Sequence, residues 1–269
     1  MPHDWKSTAV TTESETLDLL AELYGKRWLC RGQPRRYACL VPSIDREELK
    51  TLSRIEKLSL ERQAIDLFRS TTRFFSHPGE QIAMADDFVA LMVLRHYGVP
   101  TRLLDWSMSP YVAAYFACED DSEDGEIWSF DHALYAKNGK EQWKSFPETT
   151  LDGNPENFRG ELTAFTTEGP PDWFICAFYA GGFHRQNAQR GAYTVTARFG
   201  RDHAKAIARL LRDKSSYHLY VVPKALKCML NVPPRAPRHL AWFNVSRLCW
   251  SRSNGSNGLQ PGCTRAMRL

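Results

Sequence analysis

The segment "LRHYGVPTRLLDWSMSPYVAAYFAC", residues 94–118, constrains this chain more than any other. Gly98 can end a helix in a left-handed conformation, and Pro100 blocks its continuation. "TRLLDW" then suits a short buried strand through Leu103 and Leu104. Ser109 followed by Pro110 signals a new helix, the hydroxyl capping it and the proline fitting its first position. In that helix Ala113 and Ala114 are small enough to let it lie close against a sheet.

Such a strand presents Asp105, Trp106 and Ser107 at a sheet edge, just before a helix N-terminus. Free backbone N–H groups and the helix dipole favour an anion there. Arg102 either binds the same anion or pairs with Asp105, and the segment leaves both open. His96, at a helix end, reads as a complement to the C-terminal dipole.

Helices precede strands along the chain. "ESETLDLLAELYG" spaces Leu17, Leu20 and Tyr24 at helical intervals, with Gly25 as the stop. "KRWLCRGQ" predicts a short strand running into a glycine turn. "REELKTLSRIEKLSLERQAIDLFRSTTRFF" reads as one long helix with Leu49, Leu52, Ile55, Leu58, Ile65 and Phe68 along a face. "MADDFVALMVLRHYG" is another helix. "GEIWSF", "DWFICAFYA", "RGAYTVTARF" and "SYHLYVV" are β-branched and aromatic, and one helix near residues 202–212 interrupts them. Residues 131–160, rich in Gly, Pro, Asn and charge, predict a surface excursion. This order implies an α+β fold, a helical N-terminal half packed on a mainly antiparallel sheet.

Charge is unevenly spread. The net +4 includes nine Lys and Arg after Asp213, where no acidic residue remains. Removing those nine from the 35 basic residues leaves 26 against 31 acidic, about −5 for residues 1–213. Phosphate contacts along a nucleic acid need clustered positive charge, so only the tail supports that partner. The seven cysteines are odd in number and lack a C-x-x-C pair, which argues against a disulfide framework or a structural zinc site. No apolar run approaches a membrane span and no signal peptide is evident, so a cytoplasmic setting without membrane contact or metal is expected.

"HYGVPTRLLDWSMSPYVAAYFA" resembles the central motif of the FRG domain. That family's opening element is matched by "WLCRGQ", with Arg31, Gly32 and Gln33 in place and Cys30 where an aromatic is usual. "LVPSIDRE", residues 40–47, is similar to its Pro-Ser segment, and "DGEIWSF" and "RQNAQRGAYTV" to two later blocks. The literal Phe158-Arg159-Gly160 falls in the excursion and is set aside. The resemblance implies an FRG domain over about residues 12–232, with an irregular basic extension over 233–269, in a bacterial or phage defence- or toxin-like setting.

A second resemblance is to ADP-ribosyltransferases of the Arg-Ser-Glu type, which implies a split sheet and NAD as substrate. Arg31-Gly32 is similar to their first element and Ser107-Met108-Ser109 to their second. Gln189 falls where their carboxylate is expected. On that resemblance Arg31 would hold a diphosphate through paired charge-assisted hydrogen bonds. Gly32, Gln33, Thr101, Arg102 and Ser107 would line the pocket, and Trp106 or Tyr193 would stack on nicotinamide. Breaking the glycosidic bond needs a carboxylate to stabilise oxocarbenium character. Gln189 is neutral, so three outcomes stand: Gln189 only binds, Asp105 or Glu126 supplies the charge, or the family does different chemistry. The competing reading is a non-enzymatic module that recognises a protein or nucleic-acid partner.

Overall fold

The computed structural model describes residues 5–72, 87–142, 174–178, 191–196 and 198–230. Strands among them are β1 (Ser7–Ala9), β2 (Leu29–Gln33), β3 (Leu104–Ser107), β4 (Gly125–Phe130), β5 (Phe174–Phe178), β6 (Gly191–Thr196) and β7 (Tyr217–Val222). Helices are α1 (Glu13–Lys26), α2 (Arg54–Thr72), α3 (Asp87–His96), α4 (Pro110–Ala117), α5 (His132–Gln142), α6 (His203–Leu211) and α7 (Lys224–Leu230). Two 3₁₀ turns, Ser43–Asp45 and Glu47–Thr51, precede α2. The sheet order is β1-β7-β4-β2-β3-β6-β5; β1 runs parallel to β7 and every other pairing is antiparallel. All these elements fall within one compact unit, Met1–Val232. The architecture is α+β, as the order of sequence patterns implies.

Helices cover both faces. One face carries Cys30, Ile127 and Val222 against Leu20 and Leu23 of α1 and Ala113 and Ala117 of α4. Beside it, Leu103, Tyr193 and Val195 pack on the apolar run of α3 and on Ile65 of α2. The opposite face carries Leu29, Leu104, Trp106, Trp128 and Phe130 against Ala204, Ile207 and Leu211 of α6 and Tyr135 of α5. Burying apolar surface on two sides explains why β4 is buried at every residue rather than alternating.

Helix α4 lies nearly on the backbone of the sheet. A Cβ on Gly32 would stand 1.7 Å from the carbonyl oxygen of Ala113, and one on Gly125 2.2 Å from that of Ala117. Gly32 is therefore a strand residue under a helix, not the turn its sequence suggests. Ala113 and Ala114 supply the other half of that close approach.

Several helix boundaries differ from the sequence reading. The helix α1 runs through Gly25 to Lys26, and Arg27, at φ 56°, takes the left-handed position. The long helix from Arg46 is broken: Glu47, which opens the second 3₁₀ turn, sits at φ 49°, and α2 starts only after Ser53. Ser53 and Glu56 exchange backbone-to-side-chain bonds, N–H to Oε2 at 2.7 Å and N–H to Oγ at 3.3 Å, which fixes that start. Ser109 precedes Pro110 at the helix start, yet its hydroxyl makes no cap; its N–H donates to Ser107 Oγ at 2.9 Å. Part of the expected excursion is α5, whose Asn138 donates to the Leu210 carbonyl of α6 at 3.0 Å. Gly98, at φ 82°, does end α3 as expected.

The joint between β2 and β3 is narrow. Strand β2 is in register with β4 over five residues and β3 with β6 over four, but β2 and β3 share only Cys30–Ser107. Beyond that pair the ladder stops, and the Arg31–Gln33 end of β2 faces the Leu104–Trp106 end of β3 unpaired. This seam runs through the middle of the sheet.

Candidate functional site

Arg31 bridges the seam. Strand alternation starts its side chain on the face of Trp128, its register partner, while Asp105 belongs with Tyr193 on the other face. Because the ladder has stopped, the guanidinium reaches across: Nη1 donates to the Asp105 carbonyl at 2.7 Å and lies 3.9 Å from its carboxylate. A continuous β2–β3 ladder would leave neither that carbonyl nor that path open.

Arg95 grips the same carboxylate, and Arg46 stands close enough to feel its charge without touching it. Arg95, in the last turn of α3, grips Asp105 with Nε at 2.9 Å and Nη2 at 2.6 Å from Oδ2. Its Nη1 donates to Ser43 Oγ at 3.2 Å. Ser43 in turn accepts from the Thr101 N–H at 3.2 Å, tying the first 3₁₀ turn to the run-in of β3. Arg46, anchored by Nε to the Val41 carbonyl at 2.8 Å, projects from between the two 3₁₀ turns.

Electrostatics show how closely these groups stand. Burial pushes the Arg31 guanidinium down to about 9; Asp105 opposes that shift, and Arg46 and Arg95 reinforce it. Arg46 is lowered by burial and then by Arg95. Asp105 holds Arg95 above its usual value against burial. Burial raises the Asp105 carboxyl, but Arg95 and then Arg31 outweigh it and leave it below the ordinary range. All three guanidiniums stay protonated at neutral pH. Asp105 is a carboxylate that all three sense. Three cations against one anion leave the seam short of negative charge.

The remaining expected site residues fall into different surroundings. Arg102 pairs with Glu61 of α2 through its side chain and its N–H, both side chains at least 96% buried, and not with Asp105. Trp106 is 3% exposed, donates to Thr194 Oγ1 at 2.8 Å and meets Phe130 edge-on at 4.8 Å. A ring so enclosed offers no open face for stacking, and Trp106 leaves that role. Tyr193 is buried against α3, its hydroxyl 3.0 Å from His96 Nε2. Thr101 is buried and holds Ser43. Ser107 closes the seam at its paired end, and Gly32 seats α4.

Glu126 lies across from Gln33 on β4 and accepts from the Tyr37 N–H at 3.2 Å and Trp128 Nε1 at 3.1 Å. Burial raises its carboxyl against those bonds and Arg36. Gln189 lies outside the described residues. His203 of α6 lies under the seam, its Nδ1 2.8 Å from Thr194 Oγ1; burial, with Arg31 and Arg46, drives it down to about 3, so it is neutral. No group of three or more His, Cys, Asp or Glu is placed to hold a metal ion among the described residues. No helix among them is long and apolar enough to cross a membrane.

Residues 26–126 match the family model of the FRG domain. The chain carries an FRG domain. Arg31, Ser43, Arg46, Arg95 and Asp105 all lie inside the match, whereas Tyr193 and His203 come from beyond it. Phe158-Arg159-Gly160 also lies beyond it, whereas Arg31-Gly32 lies within it. No curated protein and no solved structure matches the chain.

Arg46 and Arg95 were not among the expected site residues. Both had a sequence signal: Arg46 ends the "PSIDR" run after the Pro-Ser pair, and Arg95 precedes His96 in the opening segment. Their meeting with Arg31 depends on three elements far apart in the chain.

Proposed function

We propose that the seam of this FRG domain binds a phosphate-bearing ligand, a nucleotide, with NAD the dinucleotide whose diphosphate two guanidiniums would share. The observation that carries the reading is the surplus of charge: Arg31 and Arg95 both pair with Asp105, and Arg46, close enough to lower Arg31 and be lowered by Arg95, has no ion pair to a carboxylate among the described residues. Like charges held close together in a partly buried place repel, and a bound anion is the group that relieves them. Planar guanidinium forks suit phosphate oxygens better than ammonium groups do.

Asp105 is the carboxylate at this site. Its side chain is 41% exposed and stays ionised, whereas Glu126 is enclosed. Should NAD be cleaved here, the bond between the nicotinamide nitrogen and the ribose carbon breaks, water adds to that carbon, and nicotinamide and a proton leave. Asp105 would stabilise the oxocarbenium charge.

Calorimetric titration with NAD and ADP, run beside an assay of nicotinamide release, tests the reading. Saturable binding that Arg31→Ala weakens at least tenfold is expected. Binding without nicotinamide release assigns the seam to recognition alone. Absence of binding by either nucleotide, with no rise in melting temperature, would remove the proposal.

A further inference from the structure

Two polar atoms beside the cluster have no hydrogen-bond partner: Nε of Arg31 and Oε1 of Gln33. Gln33 is 3% exposed, an uncharged amide buried with its oxygen unused. Both residues belong to β2 and stand two apart, so their side chains leave the same face of the strand, roughly 7 Å from each other. Both lie on the stretch of β2 that has lost its ladder to β3. Buried polar groups are normally satisfied, so an adjacent donor and acceptor left open together call for one outside group.

Charge and neutrality divide the work. Arg31 faces Arg46, Arg95 and Asp105, where the phosphate of the proposed function would sit. Gln33 faces none of them through an ion pair; its cross-strand neighbour Glu126 is already bonded to Tyr37, Trp128 and Arg36. An acceptor with no charge requirement suits a hydroxyl. A pentose 5′-phosphate carries a hydroxyl pair about that far from its phosphate.

Resting on the phosphate reading above, we infer that Gln33 is a specificity-determining residue of the seam: it takes a sugar hydroxyl of the ligand while Arg31 takes the phosphate next to it. The ligand class is thereby narrowed to phosphate esters of a pentose, as against inorganic or alkyl phosphates. Both open atoms are shut off from solvent, so entry of the sugar parts β2 from β3, which one register pair holds together.

The test compares ADP, 2′,3′-dideoxy-ADP and inorganic pyrophosphate on the full chain, in wild type and in Gln33→Met, by calorimetric titration. Methionine keeps the length of the side chain without its amide. Wild type is expected to prefer ADP over the dideoxy nucleotide at least tenfold. Gln33→Met should erase that preference, keep its pyrophosphate affinity within twofold and melt no lower than wild type. Equal affinity of wild type for the two nucleotides overturns the inference while leaving the phosphate site intact. So does a preference that survives in Gln33→Met, or a variant that loses all three ligands and melts lower, since Gln33 then only supports the fold. A wild type that binds none of the three refutes the phosphate site itself, and this inference with it.

Discussion

On the flank of α2 each buried cation has a carboxylate of its own: Lys57 has Asp45 at 2.8 Å, and Arg102 has Glu61. At the seam Arg31 and Arg95 share Asp105, and Arg46 stands beside them as a third cation. The α2 pairs are matched one to one and more than nine-tenths buried, and they join that helix to the 3₁₀ turn before it and to the run-in of β3. The seam is half open, unmatched, and built where the sheet is held by one register pair. Matched burial closes a structure, whereas a surplus of one sign keeps a place for something else. The physical distinction is whether removing one member leaves a charge stranded or relieves a repulsion.

The largest difference between the regions should appear on removing a carboxylate from the matched side. Glu61→Gln strands the Arg102 guanidinium in the interior and is expected to cost about 3–5 kcal/mol of unfolding free energy in urea. A loss under about 1 kcal/mol would mean the α2 pairs are not closed as described.

Asp105→Asn has a smaller expected cost to the free chain, about 1–3 kcal/mol, because it exposes the three arginines to one another in a partly solvated place. It should also tighten pyrophosphate binding several-fold, since the one opposing charge is gone. A variant that binds pyrophosphate more weakly would make Asp105 a ligand contact rather than a counter-charge. The cost depends on pH with a definite sign. Asp105 is depressed in the folded chain, so its contribution is present above the unfolded value of about 3.9 and is lost as pH falls through the lower folded value. The stability gap between wild type and Asp105→Asn should therefore close on acidification below about pH 4. A gap that stays constant from pH 7 to 2 would show that Asp105 does not titrate with folding.

The smallest effect on stability is expected at Arg46. Arg46→Ala removes one of three repelling cations and should leave unfolding free energy within about 1 kcal/mol of wild type, or raise it. A loss as large as that of Glu61→Gln would erase the contrast between the two regions.

How much of this was legible in the sequence differs between fold and site. The end of α3 at Gly98, strand β3 and the Pro110 start of α4 follow from local rules, because glycine and proline act on their own backbone. Local rules failed where a distant contact intervened. Gly32 looks like a turn residue, but α4 requires its bare Cα, and Gly25 yields the left-handed position to Arg27. The apolar spacing ahead of α2 gave no sign of the break at Glu47. Asp105 and Arg31 were singled out as site residues, while Arg102, from the same segment, faces inward to Glu61. Whether an arginine on an edge turns inward or outward depends on the carboxylate that the tertiary fold delivers. Arg95 and Arg46 stayed hidden for the same reason, since each acquires its meaning only when β2, α3 and the 3₁₀ turns meet.

Titration of wild type and Arg46→Ala with inorganic pyrophosphate, at low and at physiological salt, tests the central claim most directly. Saturable binding by wild type is predicted, weakening as salt screens the seam, with a melting temperature that rises with ligand and about 2.7 kcal/mol of added stability at a hundredfold excess over Kd. Arg46→Ala should fold as well as wild type and bind at least tenfold more weakly. Equal affinity in the two proteins, or no binding in either, would contradict the account.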